Sequence, residues 1–191
     1  MVYNFIAKKK GDIFMSILKV ARVGNPVLRQ KASALTVEEI KSPSVQKLMD
    51  DMVVTMREYE GVGLAAPQVH ESKQIIVIES AASIRYSEAP NIPLTILINP
   101  VISYYSEEKA DGWEGCLSVG DFRGVVPRST SIKVDALGGN GKKVSIDATG
   151  FLSVVLQHEI DHLNGVIFVD KIKDLKTLSF LKEYERYWAK E

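Results

Sequence analysis

The 191-residue chain has a single cysteine, Cys116, so no internal disulfide can form, and a reducing cytoplasm is the compartment that fits. No apolar run approaches the roughly 18 residues a membrane-spanning helix requires. The formal net charge is +0, which gives no reason to expect nucleic acid or an anionic membrane as the main partner. Internal repeats, low-complexity stretches and dividing linkers are also missing. Histidine is scarce, with only His70, His158 and His162. What remains is an ordinary globular composition, 46% apolar and 25% charged. A chain of this length buries about 70% of its unfolded surface, so it needs neither disulfides nor a structural metal to hold together. Residues 1–14, MVYNFIAKKKGDIF, have neither a signal-length apolar stretch nor a small-residue cleavage pattern. They read as an N-terminal extension, disordered or an artefact of start-site choice, ahead of a single domain over residues 15–191.

Along that domain, Val45, Leu48, Met49, Met52, Val53 and Met56 recur at helical spacing. This predicts an amphipathic helix over residues 44–59, with Ser42 or Ser44 as N-cap and Gly61 just past its end. Residues 74–79 (QIIVIE) read as a buried strand, residues 81–93 as a surface loop, and 94–99 and 101–106 as strands separated by Pro100. Residues 122–136 and 142–146 alternate like strands, and Gly138-Gly139-Asn140-Gly141 signals a hairpin. A helix over residues 149–163 closed by Gly165, a short strand at 166–169 and a charged helix over 173–190 follow; Leu175, Leu178, Leu181 and Tyr184 line one side of the last. The order is α+β, mostly antiparallel sheets packed around a central helix, with a C-terminal helix.

That central helix carries His158-Glu159-Ile160-Asp161-His162 on an apolar background of Phe151, Leu152, Val154, Val155 and Leu156. Histidines four residues apart share one helical face and can reach one metal ion, and a glutamate beside the first can work on a metal-bound water without being a ligand. A third ligand is required. The extended metalloprotease pattern would place a histidine where Phe168 stands, and no histidine follows His162. Glu183 and Glu185 lie in a strongly charged stretch where a solvated role is the natural one. Cys116, in Trp113-Glu114-Gly115-Cys116-Leu117-Ser118, offers a thiolate suited to divalent iron, nickel or zinc, and a Cys-His-His set leaves a coordination position open for catalysis. His70 is left as a surface residue. Residues 61–68, GVGLAAPQ, match a dinucleotide-binding pattern only superficially, because a helix precedes them and Pro67 blocks the helix that should open there. They read instead as a small-residue segment approaching the site, with the Gln68 amide as an oxyanion donor.

Together, residues 61–68 (G-φ-G-φ-A-A-x-Q), 114–118 (E-G-C-L-S) and 157–162 (Q-H-E-x-D-H) resemble, in order and separation, the motifs of the peptide deformylase family. The resemblance covers the chain from Met15 to the tail. Gly120 stands where many bacterial members carry proline, a departure that touches no ligand. The resemblance implies hydrolytic removal of the N-formyl group from the formylmethionine of nascent polypeptides, with release of formate. Cys116, His158 and His162 would bind one divalent metal, ferrous iron in the cell and zinc, nickel or cobalt in purified material. Metal-bound hydroxide would attack the formyl carbon, with Glu159 as general base and then acid and with Gln68 and the Leu117 N–H holding the oxyanion. It further implies that an extended peptide lies along Gly63, Glu114 and Gly115, with Arg123 as a pocket arginine, and that Val62, Phe151, Val154 and Val155 wall a methionine pocket. Formylated chains emerging at the ribosome would be the partners, in the cytoplasm.

Overall fold

β2 (Ile75–Ser80) is buried on both faces, and the alternation of its side chains divides the protein into two layers of core. Ile76 and Ile78 point to one apolar cluster, Ile75 and Val77 to another. The computed structural model describes residues 15–80 and 90–189, so residues 1–14 and most of the loop expected over 81–93 lie outside it.

The second cluster is covered by α2 (Pro43–Glu58), which buries Val45, Met49, Met52, Val53 and Met56. Its start is fixed by the Ser42 side chain, which accepts from the Val45 N–H, and by proline in the first turn. A one-turn helix, α1 (Val37–Ile40), precedes it with a Thr36/Glu39 capping box. The first cluster is covered by α3 (Gly150–Leu163), through Val155, Leu156, Ile160 and Leu163.

Between the helices lies an antiparallel five-stranded sheet in the order β1 (Gly63–Ala65), β2, β3 (Ile92–Tyr105), β6 (Ser131–Gly138), β7 (Lys143–Thr149). A second antiparallel sheet has the order β4 (Lys109–Gly115), β5 (Phe122–Ser129), β8 (Ser179–Phe180). α3 touches β1 and β7 of the first sheet and β5 of the second. The arrangement is the expected one, sheets around a central helix, with α4 (Leu181–Tyr187) at the C-terminal end.

Several boundaries differ from the sequence reading. Pro100 does not divide two strands; β3 runs through it with a register shift between Ile98 and Val101. Asn99 takes φ 52° there, and its side-chain amide pairs with the Leu35 N–H and C=O at 2.9 and 2.8 Å, which holds the bulge. The alternating stretch at 122–136 is two strands in different sheets, broken at Thr130, whose carbonyl accepts from the Gly150 N–H at 2.9 Å. Residues 166–169 are not a strand; Phe168–Lys171 is a 3₁₀ turn in which Asp170 accepts from the Ile167 N–H.

The helix expected over 173–190 is confined to α4. Before it, Thr177 accepts from the Val125 N–H and Ser179–Phe180 pairs with the edge of β5, so sheet pairing overrides the helical pattern. Leu175 and Leu178 are exposed rather than forming a packed stripe. α4 is held instead by Trp113, whose ring lies 4.9 Å from Tyr184 and 5.8 Å from Trp188.

Candidate metal centre and active site

α3 presents His158 and His162 on one face, with ring centroids 5.0 Å apart. Cys116 sits just beyond the end of β4, in a turn whose Val119 and Gly120 N–H groups both donate to the Cys116 carbonyl at 3.0 and 3.1 Å. Gly120 closes that turn at φ +77°, a conformation proline cannot take. The turn brings Sγ to 3.2 Å from His162 Nε2, and the three candidate ligand atoms of Cys116, His158 and His162 lie within 4.8 Å of one another. Among the described residues this is the one His/Cys/carboxylate cluster of metal-binding geometry. Glu183 and Glu185 are exposed on α4, outside it.

A thiolate and two imidazoles suit a divalent transition metal, and three protein donors leave a coordination position open. Charge and hydrogen bonding favour the ligating form of the thiol. Burial pushes Cys116 up, but the charge of His162 and hydrogen bonds with His158 and His162 outweigh it and hold the thiol well below its ordinary value.

Behind the cluster runs a buried ionic chain. His158 Nδ1 meets Glu114 Oε2 at 2.8 Å, which leaves Nε2 for a metal. Arg128 clamps Glu114 through Nε at 2.7 Å and Nη2 at 3.1 Å, and reaches Asp161 through Nη1 at 2.5 Å. Lys171 continues the line to the surface, 3.6 Å from Asp161. Burial raises the Glu114 carboxyl, yet hydrogen bonds from His158 and Arg128 bring it down to about 2. Glu114, expected along the bound peptide, has its carboxylate buried among these partners, 2.8 Å from His158 Nδ1. Phe168, the residue that denied a third histidine, stacks on His158 at 6.4 Å.

Glu159 is 4% exposed, and its Oε2 has no hydrogen-bond partner among the described residues. Burial raises its pKa, the direction that would favour proton exchange by a carboxyl group. Space for it comes from Gly63: a Cβ there would lie 2.3 Å from Glu159 Oε1. The Gln68 amide is oriented by its own loop, since Oε1 accepts from the Ala65 N–H at 2.8 Å. Nε2 then points at Cys116 Sγ (3.4 Å) and Ser118 Oγ (3.2 Å). Leu117 N–H has no acceptor among the described residues, whereas the Ser118, Val119 and Gly120 N–H groups of the same turn all do.

The remaining expected residues surround this centre. The Arg123 guanidinium lies over Gly115, where a Cβ would be 2.2 Å from Nη1, and donates to the Phe122 carbonyl. Val62 and Phe151 pack on the cluster containing Val155, and Val154 is half-buried outside it. His70 is exposed at φ 67°, its Nδ1 3.5 Å from Asn25 Nδ2, away from the metal cluster. Two open cavities, of about 480 and 590 Å³, are lined by other residues.

Arg128 escaped sequence reading. No local signal pointed to it, since its partner Glu114 lies 14 residues away in a stretch that the sequence pattern assigns to no element.

The family model described as polypeptide deformylase matches residues 17–178. Peptide deformylase 2 of Nostoc sp. is 39% identical over 174 residues, 91% of this chain and 96% of that protein. Peptide deformylase 1 of Bordetella pertussis is 41% identical over 161 residues, 84% of this chain and 90% of that protein. Among solved structures, the Met-Ala-Ser-bound class I type b peptide deformylase from Acinetobacter baumannii superposes with a TM-score of 0.81 at 41% identity, covering 83% of this chain and 100% of that one. A Synechococcus elongatus peptide deformylase in complex with actinonin gives 0.76 at 32% identity, covering 97% and 94%.

Proposed function

The chain belongs to the polypeptide deformylase family, metal-dependent amide hydrolases that remove the N-formyl group from nascent peptides, and on that premise we propose how its residues divide the work. The observation that carries the assignment is the convergence of Cys116, His158 and His162 within 4.8 Å beside a buried Glu159 oxygen that has no partner among the described residues.

Cys116, His158 and His162 would hold the metal, ferrous iron in the cell, replaceable by zinc, nickel or cobalt after purification. When bound, such a cation supplies Lewis acidity at the open position. Glu159 takes a proton from the attacking water at Oε2 and delivers it to the departing amine. The Gln68 Nε2 and the Leu117 N–H receive the oxyanion that develops on the formyl oxygen. Formate and a free N-terminal methionine result.

Among the described residues β1 and β4 each lie at an edge of their sheet, pairing only with β2 and β5 respectively. An extended peptide can therefore pair with main chain near Gly63 and Gly115, with Arg123 at its side. Val62, Phe151, Val154 and Val155 form the apolar wall that takes the methionine side chain. That a relative was solved with Met-Ala-Ser bound supports a peptide as the substrate class. We place the enzyme in the cytoplasm, acting as a single catalytic unit from Met15 onward on chains emerging from the ribosome. No described helix is long and apolar enough to cross a membrane. Protein loaded anaerobically with iron or nickel should release formate from formyl-Met-Ala-Ser; fully metallated protein that releases none above background would overturn the assignment.

A further inference from the structure

Residues 16–23 form neither helix nor strand, yet their polar contacts fall on three separate parts of the molecule. The Ser16 N–H donates to Asp51 Oδ1 and the Leu18 N–H to Thr55 Oγ1, both at 2.8 Å, fastening the segment to α2. It then crosses both loops that carry the amide donors of the site. The Ala21 N–H donates to the Gln68 carbonyl at 2.7 Å, and the Val23 N–H to the Ser118 carbonyl at 2.8 Å. Between them, Arg22 Nη1 donates to the Leu117 carbonyl at 2.7 Å.

We propose that Arg22 is a positioning residue for the oxyanion site: its guanidinium, bonded to the Leu117 carbonyl, fixes the direction of the Leu117 N–H. The inference rests on the reading of that N–H as an oxyanion donor.

Leu117 lies between two peptide planes. The preceding plane carries its N–H, and the carbonyl of that plane, on Cys116, accepts from Val119 and Gly120. The following plane carries the Leu117 carbonyl, and Arg22 holds it. With both planes pinned, the N–H keeps one direction. Without Arg22 the second plane keeps, among the described residues, only the long Ser118 N–H contact with Cys116 Sγ at 3.4 Å, and the residue can rock about its own dihedrals. The turn uses each of its next three N–H groups internally and leaves this one without an acceptor among the described residues.

Arg22 itself is exposed, and the Leu117 carbonyl is its one hydrogen-bond partner among the described residues. An exposed contact of this kind adds little to folding stability. A hydrogen bond from a cation is nevertheless about twice as strong as a neutral one, enough to hold a turn in register. Its effect should therefore appear in rate and hardly in stability. Full loss of an oxyanion donor costs about 10²- to 10³-fold in kcat, so a donor that is present but no longer held should cost on the order of tenfold.

The test compares the full-length, metal-loaded protein with Arg22→Ala and Arg22→Lys. It measures kcat and KM on formyl-Met-Ala-Ser, metal content, melting temperature, and amide exchange at residues 117–120. For Arg22→Ala we expect kcat to fall about tenfold with KM within about twofold, unchanged metal content and faster exchange at Ser118, Val119 and Gly120, whose N–H groups are bonded within the turn. Arg22→Lys, which keeps a cationic donor, should recover most of the rate, and millimolar guanidinium should rescue the alanine variant. Wild-type kcat together with unchanged exchange in Arg22→Ala would overturn the proposal. A rate loss matched by metal loss or by a parallel fall in melting temperature would overturn it equally. Wild-type protein that released no formate would refute the proposed function instead, and amide exchange would still decide whether Arg22 holds Leu117.

Discussion

Replacing Arg128 by methionine tests the buried ionic chain behind the metal cluster. Arg128 is 5% exposed and makes three charged contacts, two to Glu114 and one to Asp161. Methionine keeps much of the apolar stem and removes the cation. Glu114 would then rely on His158 alone, and Asp161 on Lys171 at 3.6 Å, a side chain that is 44% exposed. Breaking a buried pair by deleting one partner costs about 3–5 kcal/mol, a large share of a total stability of about 5–15 kcal/mol. With a urea dependence of about 2 kcal/mol per M, the unfolding midpoint should drop by about 1.5–2.5 M. The assay is urea unfolding followed by circular dichroism, with chelator in every sample so that metal binding does not contribute. Glu114→Gln combined with Arg128→Met removes the stranded charge, and should cost less than the sum of the single changes. A midpoint shift under about 0.5 M, or strict additivity in the double variant, would refute the claim that this arginine neutralises a buried carboxylate.

Three further outcomes are expected. Gly63→Ala places a methyl 2.3 Å from Glu159 Oε1 and 2.7 Å from its Cδ, so the carboxylate must move. A displacement near 1 Å can cost on the order of 10²-fold, so kcat should fall at least tenfold with full metal content; wild-type turnover would contradict the placement. Cys116→Ser replaces the soft ligand by a hard one, and elemental analysis after dialysis should find most of the metal lost. Full retention would show that the thiolate is not a ligand. Asp170 is raised by burial, but the Arg29 hydrogen bond and the Ile167 N–H more than offset this and leave it below its ordinary 3.8. Its contribution is thus present above pH 3.8 and lost as pH falls through the lower folded value. Asp170→Asn should destabilise the neutral protein by less than about 1 kcal/mol, because the pair is solvent-screened, and should flatten acid unfolding. A variant with an unchanged acid limb would contradict this.

Where one periodicity governed a segment, the sequence was informative. Met49, Met52 and Met56 marked α2, β-branched residues marked β2, and the glycine-rich turn at 138–141 marked the β6–β7 hairpin. The metal cluster was legible because its chemistry is restrictive: a histidine pair needs another donor, and one cysteine was available. The C-terminal region was not. Leu175, Leu178, Leu181 and Tyr184 are spaced for a helix, but the free edge of β5 competes for Ser179–Phe180, and only tertiary structure reveals that edge. Arg128 and Arg22 stayed invisible for a related reason. Their partners lie 14 and 95 residues away, and no local pattern distinguishes either from an ordinary surface arginine.

The wide spacing of the site along the chain also has a kinetic consequence. Gln68 and Cys116 are 48 residues apart, Cys116 and His162 are 46 apart, and Arg22 reaches Leu117 across 95. α3 alone offers two imidazoles without the thiolate, so the helix cannot capture the ion firmly before both sheets have paired. Those pairings are non-local and slow to find, and the metal site is finished only when they are. An ion that binds after the folding barrier has been crossed leaves the folding rate as it was and slows unfolding. A metal held by this cluster would therefore slow unfolding and leave the folding rate unchanged, which stopped-flow refolding with and without metal would test.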